Sequence, residues 1–249
     1  DDGIGSAGIM ALAREALARG HRVSMVAPRR QQSAASQRIS LIDPIFVKED
    51  DVGLPLAATW AVDGTPTDCV RLALFALIQE PIDLVMSGIN DGYNAGMAVY
   101  YSGTVGAARE AALAKLHSMA VSIRHRAAPD MLAYLARYAL ALGERYVGLT
   151  VPPVSVLNVN APLGAPEELR PPVCVPLCTS AYLDTYERRE SPRAGAYFWL
   201  ADGARVEPPQ PGTDQWALDH GHITVTLMGN PSDCTPQLPG LEELARACC

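Results

Sequence analysis

The first twenty residues, 1-DDGIGSAGIMALAREALARG-20, decide how the rest of the chain is interpreted. Three glycines follow the spacing G-x-G-x-x-G, which in dinucleotide-binding proteins marks a tight turn at the start of a helix. The apolar residues after them recur at helical spacing, and Gly20 is placed to end that helix. Asp1 and Asp2 stand directly in front of the turn. The stretch therefore predicts a turn and helix that hold either the pyrophosphate of a cofactor or a metal ion.

Further along the chain, apolar strand-like segments alternate with helical ones as far as Pro162. Helices are predicted over 9–17, 67–79, 102–116 and 129–146, and strands over 21–28, 38–49, 59–64, 82–90, 119–125 and 154–162. Thr65, Pro66 and Asp68 have the spacing of a capped helix start. Because several strands are apolar throughout, the pattern indicates an α/β fold with a Rossmann-like, mostly parallel sheet and helices on both faces.

The alternation of strand-like and helical segments stops after Pro162. Segments 171–178, 196–209 and 221–229 resemble short strands separated by turns, and 239–249 resembles a last helix. We expect a core over residues 1–165 and, over 166–249, a C-terminal extension rich in β-hairpins.

Composition excludes several classes of protein. The 249 residues carry a net charge of −7, which argues against a nucleic-acid surface. No apolar run is long enough to span a membrane. The six cysteines are scattered, as in a protein with reduced thiols, so a cytoplasmic location is expected. The sequence begins at Asp1 and not at Met, so an upstream targeting segment is not excluded.

A dinucleotide site has weak support. The acid that would bind the ribose about 20 residues after the glycines is absent. Arg29 and Arg30 stand there instead and would suit only NADP. Two adjacent carboxylates also repel an anion, and each other, unless a cation lies between them.

Polar residues follow several of the predicted strands. In a doubly wound sheet these ends meet at one edge, where ligands bind. The residues there carry oxygen and include no His or Cys: Asp1, Asp2, Ser33, residues 64–68 and Asn90. Such a set suits a hard divalent cation such as Mg²⁺, Mn²⁺ or Ca²⁺.

The stretch 102-SGT-104 precedes a helix, so its free N–H groups and hydroxyls could bind an anion. Simple capping of the helix by Ser102 or Thr104 explains the same residues.

These segments together resemble the SurE family of nucleotidases. The shared pieces occur in family order and cover nearly the whole chain: DDG at 1–3, SAAS at 33–36, GTPTDCV at 64–70, SGIN at 87–90, YSGTV at 101–105, LNVN at 157–160 and GTD at 212–214. The resemblance implies a divalent-metal-dependent phosphatase that hydrolyses nucleoside monophosphates.

The resemblance also implies roles for particular residues. One divalent ion per subunit is expected on Asp1, Asp2, Ser33 and Asn90, and phosphate on Ser102, Gly103 and Thr104. We expect Asp1, Asp2 and Asn94 to take part in catalysis. A β-hairpin arm over roughly 173–228 is expected to exchange between subunits of a homodimer or homotetramer. Its aromatic residues, Tyr182, Tyr186, Tyr197, Phe198 and Trp199, could stack on a base or contact the partner subunit.

Some features depart from the family pattern. Ser6-Ala7 replaces the usual Ala-Pro, and Arg29 stands where an acid is usual. The apolar strand that precedes DDG in the family is absent from this sequence. A central strand would then be missing, so we expect the chain to be truncated or to lack an upstream segment. Two alternatives stay open: a catalytically inactive nucleotide-binding protein of this family, and an NADP-binding oxidoreductase.

Overall fold

The computed structural model describes residues 1–180, 182–205 and 207–229. Five α-helices lie within these ranges: α1 (Ala7–Ala18), α2 (Pro66–Leu72), α3 (Gly103–Leu113), α4 (Pro129–Tyr146) and α5 (Asp214–Asp219). The strands, in chain order, are β1 (Ser24–Pro28), β2 (Val47–Glu49), β3 (Ala58–Val62), β4 (Leu84–Asp91), β5 (His117–Ile123), β6 (Val156–Ala161), β7 (Arg170–Cys174), β8 (Tyr182–Ser191), β9 (Gly195–Arg205) and β10 (His222–Met228). No helix of the described residues is long and apolar enough to cross a membrane.

Helix boundaries follow local signals. Gly20 ends the first helical segment with a φ of +83°, a conformation that glycine adopts without strain. At the start of α2 the Thr65 hydroxyl accepts a hydrogen bond from the N–H of Asp68, whose carboxylate accepts one from the N–H of Thr65. This reciprocal pair confirms the predicted capping box.

Two predicted segments are corrected. The α-helix expected over 67–79 ends at Leu72, and residues 73–77 form a wider turn in which the N–H of Ile78 donates to the carbonyl of Ala73. The strand expected over 38–49 is limited to Val47–Glu49. The short helix α5 was not expected, and the helix predicted over 239–249 lies outside the described residues.

The larger sheet has five strands in the order β4-β5-β6-β10-β7, and all its pairs are parallel except β6 with β10. On β5, Met119 and Val121 face a core shared with α1 and α4. Ala120, between them, faces a second core shared with α3. This alternation places helices on both faces of a mostly parallel sheet, which confirms the predicted fold class.

A second sheet, in the order β1-β3-β2, lies apart from the first. A cleft of about 960 Å³ separates its edge strand β1 from β4, and residues 24–28 and 84–88 line opposite sides. Consequently β4 is only half-buried along most of its length, although it is parallel to its one neighbour. The expectation that the chain lacks an upstream strand stays a prediction, as does the division into 1–165 and 166–249.

The extension contributes to both the core and an arm. β7 and β10 complete the five-stranded sheet, whereas β8 and β9 pair with each other as a separate two-stranded hairpin. Tyr186, Phe198, Trp199 and Leu200 on this hairpin are each about 60% exposed.

Candidate active site

The Asp1–Asp2 turn lies between the loop after β1 and the end of β4. The backbone N–H of Gln32 donates to the carbonyl oxygen of Asp1 at 3.0 Å. The N–H of Asp91 donates to Oδ2 of Asp2 at 2.9 Å. These two bonds fix the turn against the two segments that carry Ser33 and Asn90.

Asp1 also lies against the first turn of α3. A Cβ atom added to Gly103 would be 3.2 Å from Oδ2 of Asp1 and 3.0 Å from Cγ of Pro66, the first residue of α2. Glycine at this position therefore lets the carboxylate approach the N-terminal ends of both helices. Such ends carry partial positive charge from their free N–H groups, which favours an anionic group there.

The other two predicted metal ligands are held by short-range hydrogen bonds. The hydroxyl of Ser33 is exposed and accepts a bond from Nε2 of Gln31 at 3.0 Å. Nδ2 of Asn90 donates to the carbonyl of Gly92 at 2.8 Å, which leaves the amide oxygen of Asn90 as the atom available to a cation.

The chemistry of Asp1 fits a bound cation. Its Oδ1 atom is buried and has no hydrogen-bond partner in the protein. A buried carboxylate oxygen without a partner is costly unless a cation or a donor compensates it. The residues predicted as ligands supply only oxygen, which Mg²⁺, Mn²⁺ and Ca²⁺ prefer. Within the described residues no group of three His, Cys, Asp or Glu side chains offers a competing metal site.

The predicted phosphate-binding residues form the start of α3. The Ser102 hydroxyl accepts a bond from the N–H of Val105 at 3.1 Å, so this residue caps the helix as the simpler interpretation expected. Its hydroxyl proton can still be donated to a ligand. The N–H groups of Gly103 and Thr104 belong to the first turn and have no partner within the helix. The hydroxyl of Thr104 is buried and also has no hydrogen-bond partner.

Asn94 lies on the loop between β4 and α3, where two asparagines of β6 hold its backbone. Oδ1 of Asn160 accepts from the N–H of Asn94 at 2.8 Å, and Nδ2 of both Asn158 and Asn160 donates to its carbonyl oxygen, at 2.8 and 3.1 Å. The Asn94 side chain donates to the hydroxyl of Ser122 at 2.8 Å. These contacts fix the position of the loop, and a catalytic role for Asn94 stays a prediction.

The β6 asparagines were quoted in the sequence only as part of a family motif. In the sequence they stand out as two polar residues that alternate with apolar ones along a strand. In the structure Asn158 and Asn160 are each 1% exposed. A third buried polar residue, Asp214, accepts bonds from the N–H groups of Gly96 and Cys178 at 2.8 and 2.7 Å. It therefore joins the same loop to the extension.

Asp68, in the polar segment 64–68, has a structural role. Burial raises its pKa, but hydrogen bonds from Thr65 and Ser40 outweigh that effect and leave the pKa below its ordinary value. The carboxylate is fully occupied by the capping box and by the backbone and hydroxyl of Ser40.

Gly8 of the opening motif serves the packing of the protein itself. A Cβ atom on Gly8 would overlap the carbonyl oxygen of Ile89 in β4, so glycine is required for α1 to lie this close to the strand. Arg29, which an NADP site would need, pairs with Asp63 at 3.3 Å. No observation favours the dinucleotide interpretation.

Comparison with known proteins agrees with this geometry. The family model described as survival protein SurE matches residues 1–183. A 5′-nucleotidase SurE from Desulfovibrio desulfuricans is 42% identical over 91% of this chain and 89% of its own length. One from Synechococcus sp. (strain JA-3-3Ab) is 39% identical over 91% and 88%. The crystal structure of a SurE protein from Aquifex aeolicus superposes with a TM-score of 0.80 at 28% identity, over 98% of this chain and 97% of that one. This chain belongs to the SurE family.

Proposed function

We propose that this protein is a divalent-metal-dependent phosphomonoesterase that hydrolyses nucleoside monophosphates to nucleosides and phosphate. The names of its relatives, 5′-nucleotidase SurE, support this activity. The observation that carries the proposal is the carboxylate of Asp1, which has one buried oxygen without a partner and lies at the start of α3. A cation beside that oxygen would let an anionic substrate approach an acidic protein.

Asp1, Asp2, Ser33 and Asn90 would hold one divalent ion per subunit. When bound, the ion would neutralise charge on a phosphate oxygen and polarise the phosphorus centre. The hydrogen bond from Asp91 to Asp2 orients one carboxylate, and the bond from Asn90 to Gly92 orients the amide. Mg²⁺, Mn²⁺ and Ca²⁺ all prefer such oxygen ligands.

The first turn of α3 would bind the remaining phosphate oxygens through the N–H groups of Gly103 and Thr104 and the hydroxyls of Ser102 and Thr104. Water then attacks phosphorus opposite the ester oxygen. A P–O bond to water forms while the bond to the nucleoside oxygen breaks. One proton of the water passes to a carboxylate of the Asp pair, and the departing oxygen takes a proton from solvent. Because the two acids are adjacent and not spaced Asp-x-Asp, we assign the attack to water.

The β8–β9 arm would join subunits into a homodimer or homotetramer. An isolated two-stranded hairpin is marginally stable in water, and β8 and β9 pair only with each other among the described residues. Tyr186 and Leu200 are cross-strand partners and therefore lie on one face with Phe198. Tyr186, Phe198 and Leu200 are all exposed, as expected for a surface that a second copy covers. Light scattering should show a smaller species for the variant Phe198→Ser/Leu200→Ser.

The activity is tested by measuring phosphate release from a panel of nucleoside 5′- and 3′-monophosphates with Mg²⁺ or Mn²⁺, and then with excess chelator. We expect release that requires the metal. Asp2→Asn should reduce kcat/KM by more than the roughly 10- to 100-fold that loss of an outer-sphere partner of a metal site typically costs.

Asp83→Asn is the matched control. Asp83 is exposed and precedes β4 at the end opposite Asn90, about 20 Å away at the usual rise of a strand. It should retain the activity of the unchanged protein. An Asp2→Asn variant with full metal-dependent activity would contradict the assignment of the ligands. Release that is insensitive to chelator would contradict the metal dependence. The cytoplasmic location stays a prediction.

A further inference from the structure

A second cavity lies beside the proposed metal site. It has a volume of about 340 Å³ and lies between the start of α1, the ends of β4 and β5, and the residues just before α4. This volume falls near the lower limit of small-molecule sites, which range over about 300–1,000 Å³. Ile89, Ile123 and Leu132 form an apolar floor, and Gln31, Asp91 and Arg126 stand among the polar lining residues.

The cavity is continuous with the residues proposed to bind the metal. Asp2 lines it directly. Gln31, which also lines it, donates to the hydroxyl of Ser33 at 3.0 Å. A substrate whose phosphate lies at the Asp1–Asp2 turn would therefore have a cavity next to it for the group esterified to that phosphate.

We infer that this cavity binds the nucleoside part of the substrate, and that Asp91 and Arg126 contribute to its recognition. The inference rests on the proposed nucleotidase function. The carboxylate of Asp91 is an acceptor that favours hydroxyl donors such as those of a ribose. The apolar floor suits the flat face of a base, and a guanidinium can stack on a base or donate to its edge.

The carboxylate of Asp91 is held at the rim of the cavity by the backbone of Arg126 and lies close to His125. Oδ1 of Asp91 accepts a bond from the N–H of Arg126 at 2.9 Å, and its Oδ2 lies 3.4 Å from Nδ1 of His125. Arg126 has a φ of +65°, a conformation that residues other than glycine adopt only at a cost. The side chains at 125 and 126 are exposed, so neither is needed to fill the core.

The backbone at position 126 allows a specific test. Arg126→Gly removes the guanidinium and also relieves the left-handed backbone, so the variant should fold at least as well as the unchanged protein. Ala127→Trp fills the cavity from its own wall. Arg124→Ala, an exposed arginine outside the cavity lining, is the matched control.

The readout is the ratio of kcat/KM for a nucleoside monophosphate to kcat/KM for phenyl phosphate, which has the same charged group but no nucleoside. We expect Arg126→Gly and Ala127→Trp to lower this ratio by about tenfold or more, as loss of a charged hydrogen bond or of the binding volume would. Arg124→Ala should leave it unchanged. An unchanged ratio in both cavity variants would overturn the inference.

Equilibrium dialysis with adenosine alone separates the inference from the proposed function. If the protein releases phosphate from no monoester, the proposed function fails. The cavity is then supported if adenosine binds the unchanged protein about tenfold more tightly than Ala127→Trp. Equal binding by the two would overturn it, whatever the activity.

Discussion

Replacing Gly103 with Ala would test whether the position of Asp1 controls activity. The backbone of Gly103 is helical, so alanine is compatible with its conformation. The new Cβ would be 3.0 Å from Cγ of Pro66 and 3.2 and 3.3 Å from Oδ2 and Cβ of Asp1. Ordinary carbon contacts begin near 3.4 Å, so these neighbours must move by a few tenths of an ångström. The Asp1 side chain can rotate, whereas the Pro66 ring is fixed at the start of α2, so most of the movement should fall on Asp1.

The energetic consequences differ for stability and activity. Alanine is favoured over glycine within a helix by up to about 1 kcal/mol, which offsets part of the strain, so the free energy of unfolding should change by less than about 1 kcal/mol. Activity should fall by up to about tenfold, because a displacement of about 1 Å can cost 100-fold and this one is a fraction of that. The same displacement should weaken the binding of Mn²⁺, which isothermal titration calorimetry measures independently of turnover.

Gly5→Ala is the matched control for this experiment. Gly5 lies in the turn between Asp2 and α1, but a Cβ there would have no atom within 4 Å. Its activity, metal affinity and urea midpoint should equal those of the unchanged protein. If Gly103→Ala retained full activity and full Mn²⁺ affinity, the close approach of Asp1 to α3 would not matter for function, and the proposed site would be wrong.

Three further predictions concern stability. Gly8→Ala should lower the free energy of unfolding by about 1–3 kcal/mol or more, measured by urea denaturation, because its Cβ would overlap the carbonyl of Ile89; an unchanged midpoint would contradict the close packing of α1 on β4. Burial raises the pKa of Cys69 to about 12 from an ordinary 9.0, so the stability that this thiol contributes is complete below pH 9.0 and declines as the pH rises towards 12. The stability of the unchanged protein relative to Cys69→Ala should therefore fall above pH 9.0 by at most about 1.4 kcal/mol per pH unit, and a constant difference would argue against the shift. In excess chelator, Asp1→Asn should be at least as stable as the unchanged protein, because the repulsion between the adjacent carboxylates of Asp1 and Asp2 is removed. A thermal melt with and without Mn²⁺ should show stabilisation by the ion only in the unchanged protein, and equal stabilisation of both would contradict the role of Asp1.

Local signals in the sequence were sufficient for many elements. Helix α4 runs over Pro129–Tyr146 as predicted, since proline suits its first position and the apolar period continues to its last residue. The wider turn at 73–77 could not be predicted, because its five residues are all apolar and include no glycine or proline to mark a change of helix type. The pattern of each strand does not predict the separation of β1 from β4, since it indicates burial but not the identity of a neighbour. Only the resemblance to the family predicted that a central strand would be missing.

In the site, too, some residues could be predicted from local sequence and others could not. Asp1, Asp2 and Asn90 could be chosen because polar residues at the ends of parallel strands meet at one edge of the sheet. The residues that hold the loop before α3 could not be chosen in this way. Asn160 pairs with both the N–H and the carbonyl of Asn94, as the backbone of a neighbouring strand would. The loop therefore has the rigidity of sheet structure without a strand sequence of its own. Because this pairing joins residues 66 positions apart, only the assembled fold reveals it, and it explains why a buried apolar strand retains two costly amides.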